Sequence, residues 1–124
     1  MAFVKVALFL SLLVVVAYAS SEKRDEHNID ACEGDQTVNY HALSTTVEKK
    51  GRFLQIQKGT LSFPEFGSGK KPITCIMVTD LMDSGTGGYP DILNGGVSFY
   101  NVLLQFTSQR SKGYKFRVDI YTEP

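Results

Sequence analysis

The chain contains two cysteines, Cys32 and Cys75, and their pairing is the first chemistry that the sequence offers. An even number of cysteines in an oxidising compartment is typical of a disulfide. A bond that spans 43 positions contributes about 4 kcal/mol of stability in the chain-entropy account. Neither cysteine lies in a C-x-x-C motif or next to a histidine, which argues against a redox or metal site. We therefore expect one structural disulfide.

Groups that could act as a general base are scarce in this sequence. The only histidines are His27, in a polar N-terminal segment, and His41, in a candidate strand. The sequence has no G-x-S-x-G motif, and both cysteines are expected to be oxidised. We expect His41 to be a half-buried strand residue. The sequence therefore predicts no catalytic residues and no enzyme activity.

Three aspartates, Asp80, Asp83 and Asp91, lie around a turn-rich segment that we expect to be one long loop from residue 80 to residue 96. Carboxylate oxygens are ligands that Ca²⁺ prefers, and extracellular modules commonly bind this ion. The spacing of the three residues does not match an EF-hand loop. We expect solvated turn carboxylates and no bound metal, with these three side chains as the candidates for a calcium site.

The same segment is rich in glycine, and backbone amides beside glycines can cradle an anion. The glycines concerned are Gly85, Gly87, Gly88, Gly95 and Gly96. Their order is not G-x-G-x-x-G, and no helix follows to supply a dipole. We expect these residues to form turns and close packing, with no cofactor. The alternative is that the loop forms the rim of a binding site, because long ordered loops are often functional.

A basic stripe is predicted at the end of the chain, where two aromatic residues, Tyr114 and Phe116, alternate with cations. The stripe consists of Arg110, Lys112, Lys115 and Arg117. On a strand Lys115 and Arg117 would point outward while the aromatic rings point inward. The ordinary interpretation is a solvated face, and the functional one is a surface for an acidic partner or a glycan.

The elements that must position these residues are strands. Alternation of apolar and polar residues predicts strands at residues 37–43, 53–57 (continuing into 61–63), 73–79, 97–109 and 114–121. The strand at 73–79 is apolar on both faces, as in a central buried strand, and that at 97–109 is the longest. No stretch shows a sustained helical period. We predict an all-β fold of five to seven antiparallel strands, in a small sandwich or a partly closed barrel.

The N-terminus reads as a secretory signal peptide, residues 1–19, with a short apolar helix before an A-x-A cleavage site. A polar, flexible segment at residues 20–31 and a single β domain at 32–124 follow. Removal of Lys5 with the signal leaves twelve basic and thirteen acidic side chains. That balance gives no long-range attraction to nucleic acid or to an anionic membrane. The C-terminal residues are not a hydrophobic tail, and we expect no membrane anchor.

The polar segment offers one further candidate for metal binding, which depends on proteolytic cleavage. Cleavage after the dibasic pair Lys23–Arg24 would create a new terminus at Asp25, with His27 as its third residue. An amine, two amides and an imidazole form a square-planar nitrogen set that suits Cu²⁺ or Ni²⁺.

Four sequence blocks in the C-terminal half follow one another in a recognisable order. They are Asp83-Ser84-Gly85-Thr86-Gly87-Gly88-Tyr89, Asn94-Gly95-Gly96-Val97, Ser108-Gln109-Arg110-Ser111-Lys112-Gly113-Tyr114-Lys115-Phe116, and Val118-Asp119-Ile120-Tyr121. This order resembles the insect multiprotein bridging factor 2 family, whose members share D-G-T-G-G-Y, G-G-V and S-Q-R-G-x-G-[FY]-x-F-x-V-x-I-Y-G patterns. The chain departs from the pattern by the inserted Ser84, by Ser111 in place of a glycine, and by Thr122-Glu123-Pro124 at the end.

The resemblance implies two different functions. The member that gives the family its name is a transcriptional coactivator, which bridges a DNA-bound activator to the general transcription machinery without binding DNA itself. Many relatives carry signal peptides and are described as salivary or otherwise secreted peptides. We expect a secreted, extracellular, non-enzymatic protein that acts on a protein partner. The alternatives are a coactivator, and an extracellular carrier of a small ligand or metal, which would need a cavity in the β core.

Overall fold

The computed structural model describes residues 27–34 and 39–124, which form seven strands and no helix. The strands are β1 Ile29–Cys32, β2 Tyr40–Lys49, β3 Lys58–Phe63, β4 Ile73–Asp80, β5 Tyr89–Gly95, β6 Val102–Thr107 and β7 Tyr114–Thr122. The predicted signal peptide and its helix, residues 20–26 of the polar segment, and residues 37–38 of the first predicted strand lie outside the described residues. Within the described part, nothing forms a helix long and apolar enough to cross a membrane.

The strands form two antiparallel sheets that pack as a sandwich and do not close into a barrel. One sheet has the order β1-β4-β7-β2 and the other has the order β3-β6-β5. Strands β4 and β7 occupy the centre of the first sheet, and β6 occupies the centre of the second. The prediction of an all-β fold is confirmed, with seven strands in the part of the chain that the structure describes.

The core lies between the sheets and is built mainly by the three central strands. Its fully buried side chains are Ile73, Ile76 and Val78 of β4, Leu104 and Phe106 of β6, and Phe116, Val118 and Ile120 of β7. Each such side chain contributes about 1.5–3 kcal/mol relative to an exposed position. The alternation read from the sequence at residues 114–121 therefore matches the buried face of β7.

The segment 80–96 is only partly a loop, which corrects the prediction. Residues 89–95 form β5, which pairs with β6 at the edge of the three-stranded sheet. The prediction failed because turn-forming residues are tolerated at a sheet edge, where Pro90 can be accommodated and a bulge separates Ile92 from Asn94. The loop itself comprises residues 81–88.

Two apolar stretches that were predicted to be strands lie outside them. Residues 53–57 form an exposed loop, and residues 97–101 form a turn in which the Phe99 N–H donates to the Gly96 carbonyl. The predicted strand 97–109 therefore shortens to Val102–Thr107, Tyr100 is exposed, and the ten-residue β2 is the longest strand. Alternation alone does not reveal whether a partner strand is available, and none of the seven described strands pairs with either stretch.

Strand β1 begins inside the segment that was expected to be flexible. Ile29–Cys32 pairs with β4, so the β domain starts at least three residues before the predicted boundary at residue 32. The predicted disulfide is confirmed between Cys32 and Cys75, which are direct partners in the β1–β4 register. Cys75 lies on the same side of β4 as Met77, away from the core side chain of Ile76.

Candidate functional site

One end of the sandwich collects three connections, and we call it the loop end. It comprises the β2–β3 loop (residues 50–57), the β4–β5 loop (81–88) and the β6–β7 turn (108–113). Three of the four sequence blocks that carry the family resemblance contribute residues here or to the adjoining strands. The arrangement follows from the topology, because β2, β4 and β6 all end at this side while β3, β5 and β7 begin there.

One glutamine of the neighbouring 108–113 turn, Gln109, donates hydrogen bonds to the backbone of the 81–88 loop. The Gln109 side-chain amide donates to the Gly85 carbonyl at 3.1 Å and to the Gly87 carbonyl at 2.9 Å. The loop closes on itself as well, because the Thr86 hydroxyl and N–H donate to the Asp83 carbonyl at 2.7 and 3.0 Å. Residues from two separate sequence blocks therefore meet here, and their hydrogen bonds fix the loop backbone.

Close approach explains two of the glycines in this loop. A Cβ atom at Gly87 would collide with the carboxylate of Asp80, and one at Gly88 would lie 2.8 Å from the Thr107 carbonyl oxygen. The Asp80 carboxylate is itself engaged, since it accepts a hydrogen bond from the Met82 N–H at 3.0 Å. The structure thus gives these glycines a packing role, and no side chain fits in their place without a shift.

The N-terminal segment fastens this loop from outside, which the sequence reading missed. The Nδ1 atom of His27 lies 2.7 Å from the Gly88 carbonyl oxygen, and because a carbonyl only accepts, this nitrogen donates. The imidazole stacks on Tyr89 with ring centroids 5.1 Å apart. The Asn28 side-chain oxygen accepts from the Asp80 N–H at 2.7 Å. The imidazole proposed for the copper set is therefore already in contact with the loop, while Lys23–Arg24 and Asp25–Glu26 lie outside the described residues.

The 108–113 turn holds the 50–57 loop in a similar way. Ser108 exchanges two hydrogen bonds with the backbone of Gln57, at 2.7 and 2.8 Å. The Leu54 N–H donates to the Ser111 hydroxyl at 2.8 Å, and the Leu54 carbonyl accepts from the Arg110 guanidinium at 2.9 Å. One short turn therefore fixes the backbone of the neighbouring loop at two places.

The backbone of the turn has special requirements at two positions, Ser111 and Gly113. A glycine is the residue that a tight turn ordinarily uses for the left-handed backbone conformation, yet here Ser111 takes it, with φ of 66°, and Gly113 does not. Ser111 is the position where the family pattern has a glycine, which this conformation favours. Gly113 is required for another reason: a Cβ atom there would collide with the Lys49 carbonyl oxygen of the adjacent β2.

The four residues of the predicted basic stripe do not form one free basic surface. Lys115 and Arg117 lie on β7 and the other two lie in the turn. Arg117 pairs with Asp119 at 3.0 Å, Lys115 stands opposite Glu48 in the β2–β7 register, and Arg110 donates to Leu54. Three of the four cations therefore have a partner or a cross-strand acidic neighbour.

Asp119 is the centre of a polar cluster that the sequence reading did not find. It is only 8% exposed, and the Nε2 atom of His41 lies 2.9 Å from its carboxylate. Burial alone would raise the pKa of Asp119, but hydrogen bonds from Ser44 and His41 and the charge of Arg117 together lower the pKa below its ordinary value. The His41 ring also stacks on Tyr121 at 4.3 Å. Because Ser44 and His41 of β2 both bond to a carboxylate of β7, we interpret the cluster as a link between these two strands.

The three candidate calcium ligands are not assembled into a site. Asp80 is engaged by the loop backbone, Asp83 is exposed in the loop, and Asp91 lies on β5 opposite Gln105. Among residues 27–34 and 39–124, no group of three or more histidine, cysteine, aspartate or glutamate side chains is placed to hold a metal ion.

Aromatic rings fill the space between the sheets at the loop end. Phe106, Tyr114 and Phe116 pack with ring centroids 5.2–5.8 Å apart, and burial raises the pKa of the Tyr114 hydroxyl. A cleft of about 320 Å³ opens at the opposite end of the sandwich. It is lined by Tyr40, Ala42, Phe63, Gly69, Lys70, Lys71, Thr122, Glu123 and Pro124. A groove of about 490 Å³ lies along the side of the sandwich, between residues of β2 and β3, so the concave surfaces of the described residues are not confined to its ends.

Comparison with known proteins places this geometry in a family. Residues 33–122 match the sequence model of the family described as "Transcription activator MBF2". The chain belongs to this family. The MBF2 match covers all the strands after β1, together with all three connections of the loop end. The contacts of Ser108, Gln109 and Arg110 thus give a structural account of the S-Q-R part of the MBF2 ending pattern, because these residues fix the two neighbouring loops.

A curated relative is similar over most of the chain. It is a "Probable salivary secreted peptide" from Bombus ignitus, 40% identical over 108 residues, which cover 85% of this chain and 76% of the relative. No solved structure matches the chain.

Proposed function

We propose that this MBF2-family chain is a secreted, non-enzymatic protein that acts by binding another protein through its 81–88 loop. The observation that carries the proposal is the fixation of this loop by three separate segments: Gln109 from the turn, His27 from the N-terminal segment, and Asp80 from β4. A loop ordered before binding loses little conformational freedom when a partner docks. Its outward side chains, including Asp83 and Ser84, are exposed.

Two observations support secretion. The disulfide between Cys32 and Cys75 is typical of proteins that pass through an oxidising compartment. The relative from Bombus ignitus is named as a secreted peptide, and it shares 40% of the aligned residues. Both fit the signal peptide read from residues 1–19.

Localisation in insect cells tests the first half of the proposal. The full-length chain with a C-terminal tag should reach the medium in processed form, with the two cysteines oxidised. A matched variant that lacks residues 1–19 should stay inside the cell. Full-length protein that accumulates in nuclei with its N-terminus intact would overturn secretion.

Site-specific photocrosslinking tests the second half. A photoreactive phenylalanine analogue at Ser84, in the 81–88 loop, is compared with the same analogue at the exposed Ser68 at the opposite end. We expect a discrete crosslinked protein of insect saliva or haemolymph with the Ser84 variant alone. Identical crosslinks from both positions, or none from Ser84, would contradict binding through this loop.

The second candidate function is that of a coactivator, and the family description as a transcription activator favours it. A coactivator would act as an intracellular bridge between an activator and the transcription machinery. The localisation experiment separates the two candidates, because a nuclear, unprocessed chain supports the coactivator and a processed chain in the medium supports the secreted protein.

A further inference from the structure

The 50–57 loop exposes three large apolar side chains at its tip. Phe53 is 83% exposed, Leu54 is 57% exposed and Ile56 is 46% exposed. Isolated exposed apolar residues are common, but here three of them lie within four positions, and clustered exposed apolar side chains are typical of contact surfaces. The 81–88 loop exposes one large apolar side chain, Leu81, which is 45% exposed, so the three side chains at residues 53–56 form the larger apolar group of the two loops.

The exposure of this tip is a property of a fixed loop. The loop turns through a hydrogen bond from the Gln55 N–H to the Arg52 carbonyl at 3.0 Å. Leu54 adopts a left-handed backbone conformation, with φ of 59°, which a leucine rarely takes. The hydrogen bonds from Ser111 and Arg110 to Leu54 hold it there. Residues kept in such conformations by their surroundings cluster at functional sites.

Six cations lie in the 50–57 loop, at the strand ends that flank it or in the 108–113 turn that holds it, and we call them the basic collar. Its members are Lys49, Lys50, Arg52, Lys58, Arg110 and Lys112. Three contacts join parts of this set. The Lys49 ammonium donates to the Lys58 carbonyl at 2.6 Å, Gly51 lies against the backbone of Ser111 and Lys112, and Arg110 donates to the Leu54 carbonyl.

The collar is basic without internal compensation. No acidic residue occurs between positions 49 and 58 or between 108 and 113. Along the chain, the carboxylates nearest to these two stretches are Glu48, which stands opposite Lys115, and Asp119, which pairs with Arg117. The chain as a whole has thirteen cations and thirteen anions, so this end carries a local excess that the net charge conceals.

We propose that the tip of the 50–57 loop and its basic collar form a docking site for an anionic phospholipid surface. Phe53, Leu54 and Ile56 enter the boundary between headgroups and acyl chains, while the cations contact lipid phosphates and carboxylates. Surface membrane binding of this kind scales with the buried apolar area and with the attraction to anionic lipid.

The geometry favours a bilayer over a protein partner. A stable protein interface buries about 1,200–2,000 Å² in total, with charged residues depleted at its centre. Here the apolar tip is one short loop, and cations stand next to it. A membrane surface offers a matching pair of layers, because charged headgroups lie directly beside apolar acyl chains. Long basic side chains can bury their stems beside the apolar residues and keep their charged ends at the headgroups.

Vesicle sedimentation tests the proposal with protein purified from insect cells. Wild type and all variants have the same N-terminus, so that differences in binding come from the substitutions. We expect binding to phosphatidylcholine vesicles that contain phosphatidylserine, weakening as salt is raised, and little binding to phosphatidylcholine alone. Phe53→Ser should weaken binding about tenfold or more, because one aromatic ring no longer leaves water. Phe66→Ser is the matched control, since Phe66 is 84% exposed at the opposite end, and it should bind normally.

Charge reversal provides the second pair of variants. Lys50→Glu combined with Lys112→Glu should weaken binding by at least about tenfold, because both positions lie in the collar. Lys70→Glu combined with Lys71→Glu changes the net charge equally at the opposite end and should leave binding unchanged. If both double variants lost vesicle binding equally, the effect would be one of net charge, and the proposed docking site would be wrong.

A fluorescence experiment locates the contact directly, because the chain contains no tryptophan. The emission of Phe53→Trp should shift to the blue when phosphatidylserine vesicles are added, and that of Phe66→Trp should not. An unshifted Phe53→Trp, or binding to a soluble acidic polypeptide without binding to vesicles, would overturn the lipid proposal. Neither result bears on the Ser84 crosslinks, so the two proposals fail separately.

Discussion

At the scale of single residues, the buried carboxylate of Asp119 joins polar side chains of β2 and β7. This carboxylate lies within hydrogen-bond distance of His41 and Arg117, at 2.9 and 3.0 Å, and also accepts from Ser44. Hydrogen bonds to a charged group contribute about 1.5–3 kcal/mol. We expect Asp119→Asn to lower the free energy of unfolding by about 2 kcal/mol at neutral pH, as measured by urea denaturation.

The pH dependence of this effect follows from the lowered pKa of Asp119. A carboxyl group whose folded pKa lies below its unfolded value stabilises the fold above the unfolded pKa, and this contribution disappears as pH falls through the folded pKa. The difference between wild type and Asp119→Asn should therefore shrink in acid. Asp91→Asn, at an exposed position, is the control and should change stability by less than about 0.5 kcal/mol. A difference that persisted unchanged in strong acid would show that packing, and not charge, is responsible.

Ser111 combines an unfavourable backbone conformation with a favourable hydrogen bond. Its left-handed φ of 66° disfavours any residue with a Cβ atom, while its hydroxyl accepts from the Leu54 N–H at 2.8 Å. Ser111→Ala keeps the unfavourable backbone conformation and loses the hydrogen bond, so we expect the free energy of unfolding to fall by about 1 kcal/mol. Ser111→Gly loses the hydrogen bond but relieves the backbone, and it should remain within about 0.5 kcal/mol of wild type. Thermal denaturation of both variants checks the order, and an alanine variant more stable than the glycine variant would refute it.

At the scale of elements, Gln109 couples the β6–β7 turn to the 81–88 loop. Gln109 donates hydrogen bonds to the carbonyls of Gly85 and Gly87, and the loss of these two bonds should make the loop more dynamic. In Gln109→Ala we expect faster amide exchange at residues 83–88, with a loss of global stability of about 1 kcal/mol. Gln105→Ala, on β6 but outside the turn, is the control and should leave exchange in the loop unchanged. Unaltered exchange in the Gln109 variant would mean that the loop is fixed by its packing alone.

The strands that sequence could predict are those whose patterns report burial directly. Strand β4 is apolar on both faces and β7 alternates, so both were found close to their true bounds. Strand β5 was missed because its proline, asparagine and glycine are turn formers that an edge position tolerates. The stretch from Leu54 to Gln57 alternates like a strand, yet it is a loop, because none of the described strands pairs with it.

The candidate sites were less predictable than the fold, for a related reason. The two loops of the loop end are fixed by side chains from the 108–113 turn, about 20 and 50 positions further along the chain. Such contacts depend on strand order, which periodicity does not reveal. The basic collar illustrates the point, because its members come from two separate stretches and the sequence reading grouped Arg110 and Lys112 with β7 instead.

At the scale of the whole molecule, the disulfide holds the N-terminal segment to the sandwich. Strand β1 has four residues and pairs only with β4, at the edge of its sheet. A strand that short has little stability of its own, and the bond from Cys32 to Cys75 keeps it in register. Through β1 the bond also keeps His27 and Asn28 against the 81–88 loop and Asp80.

The variant with both Cys32→Ala and Cys75→Ala should therefore affect stability and the loop together. We expect a loss of about 2–4 kcal/mol in the free energy of unfolding, because the unfolded chain regains its freedom. Amide exchange should quicken first at residues 29–32 and then in the 81–88 loop, while β7 stays protected, since its partners β4 and β2 remain in place. His27→Ala with the disulfide intact separates the two effects, because it should loosen the loop and leave β1 protected. Uniform exchange across all strands in the cysteine variant would show instead that the bond stabilises the sandwich only as a whole.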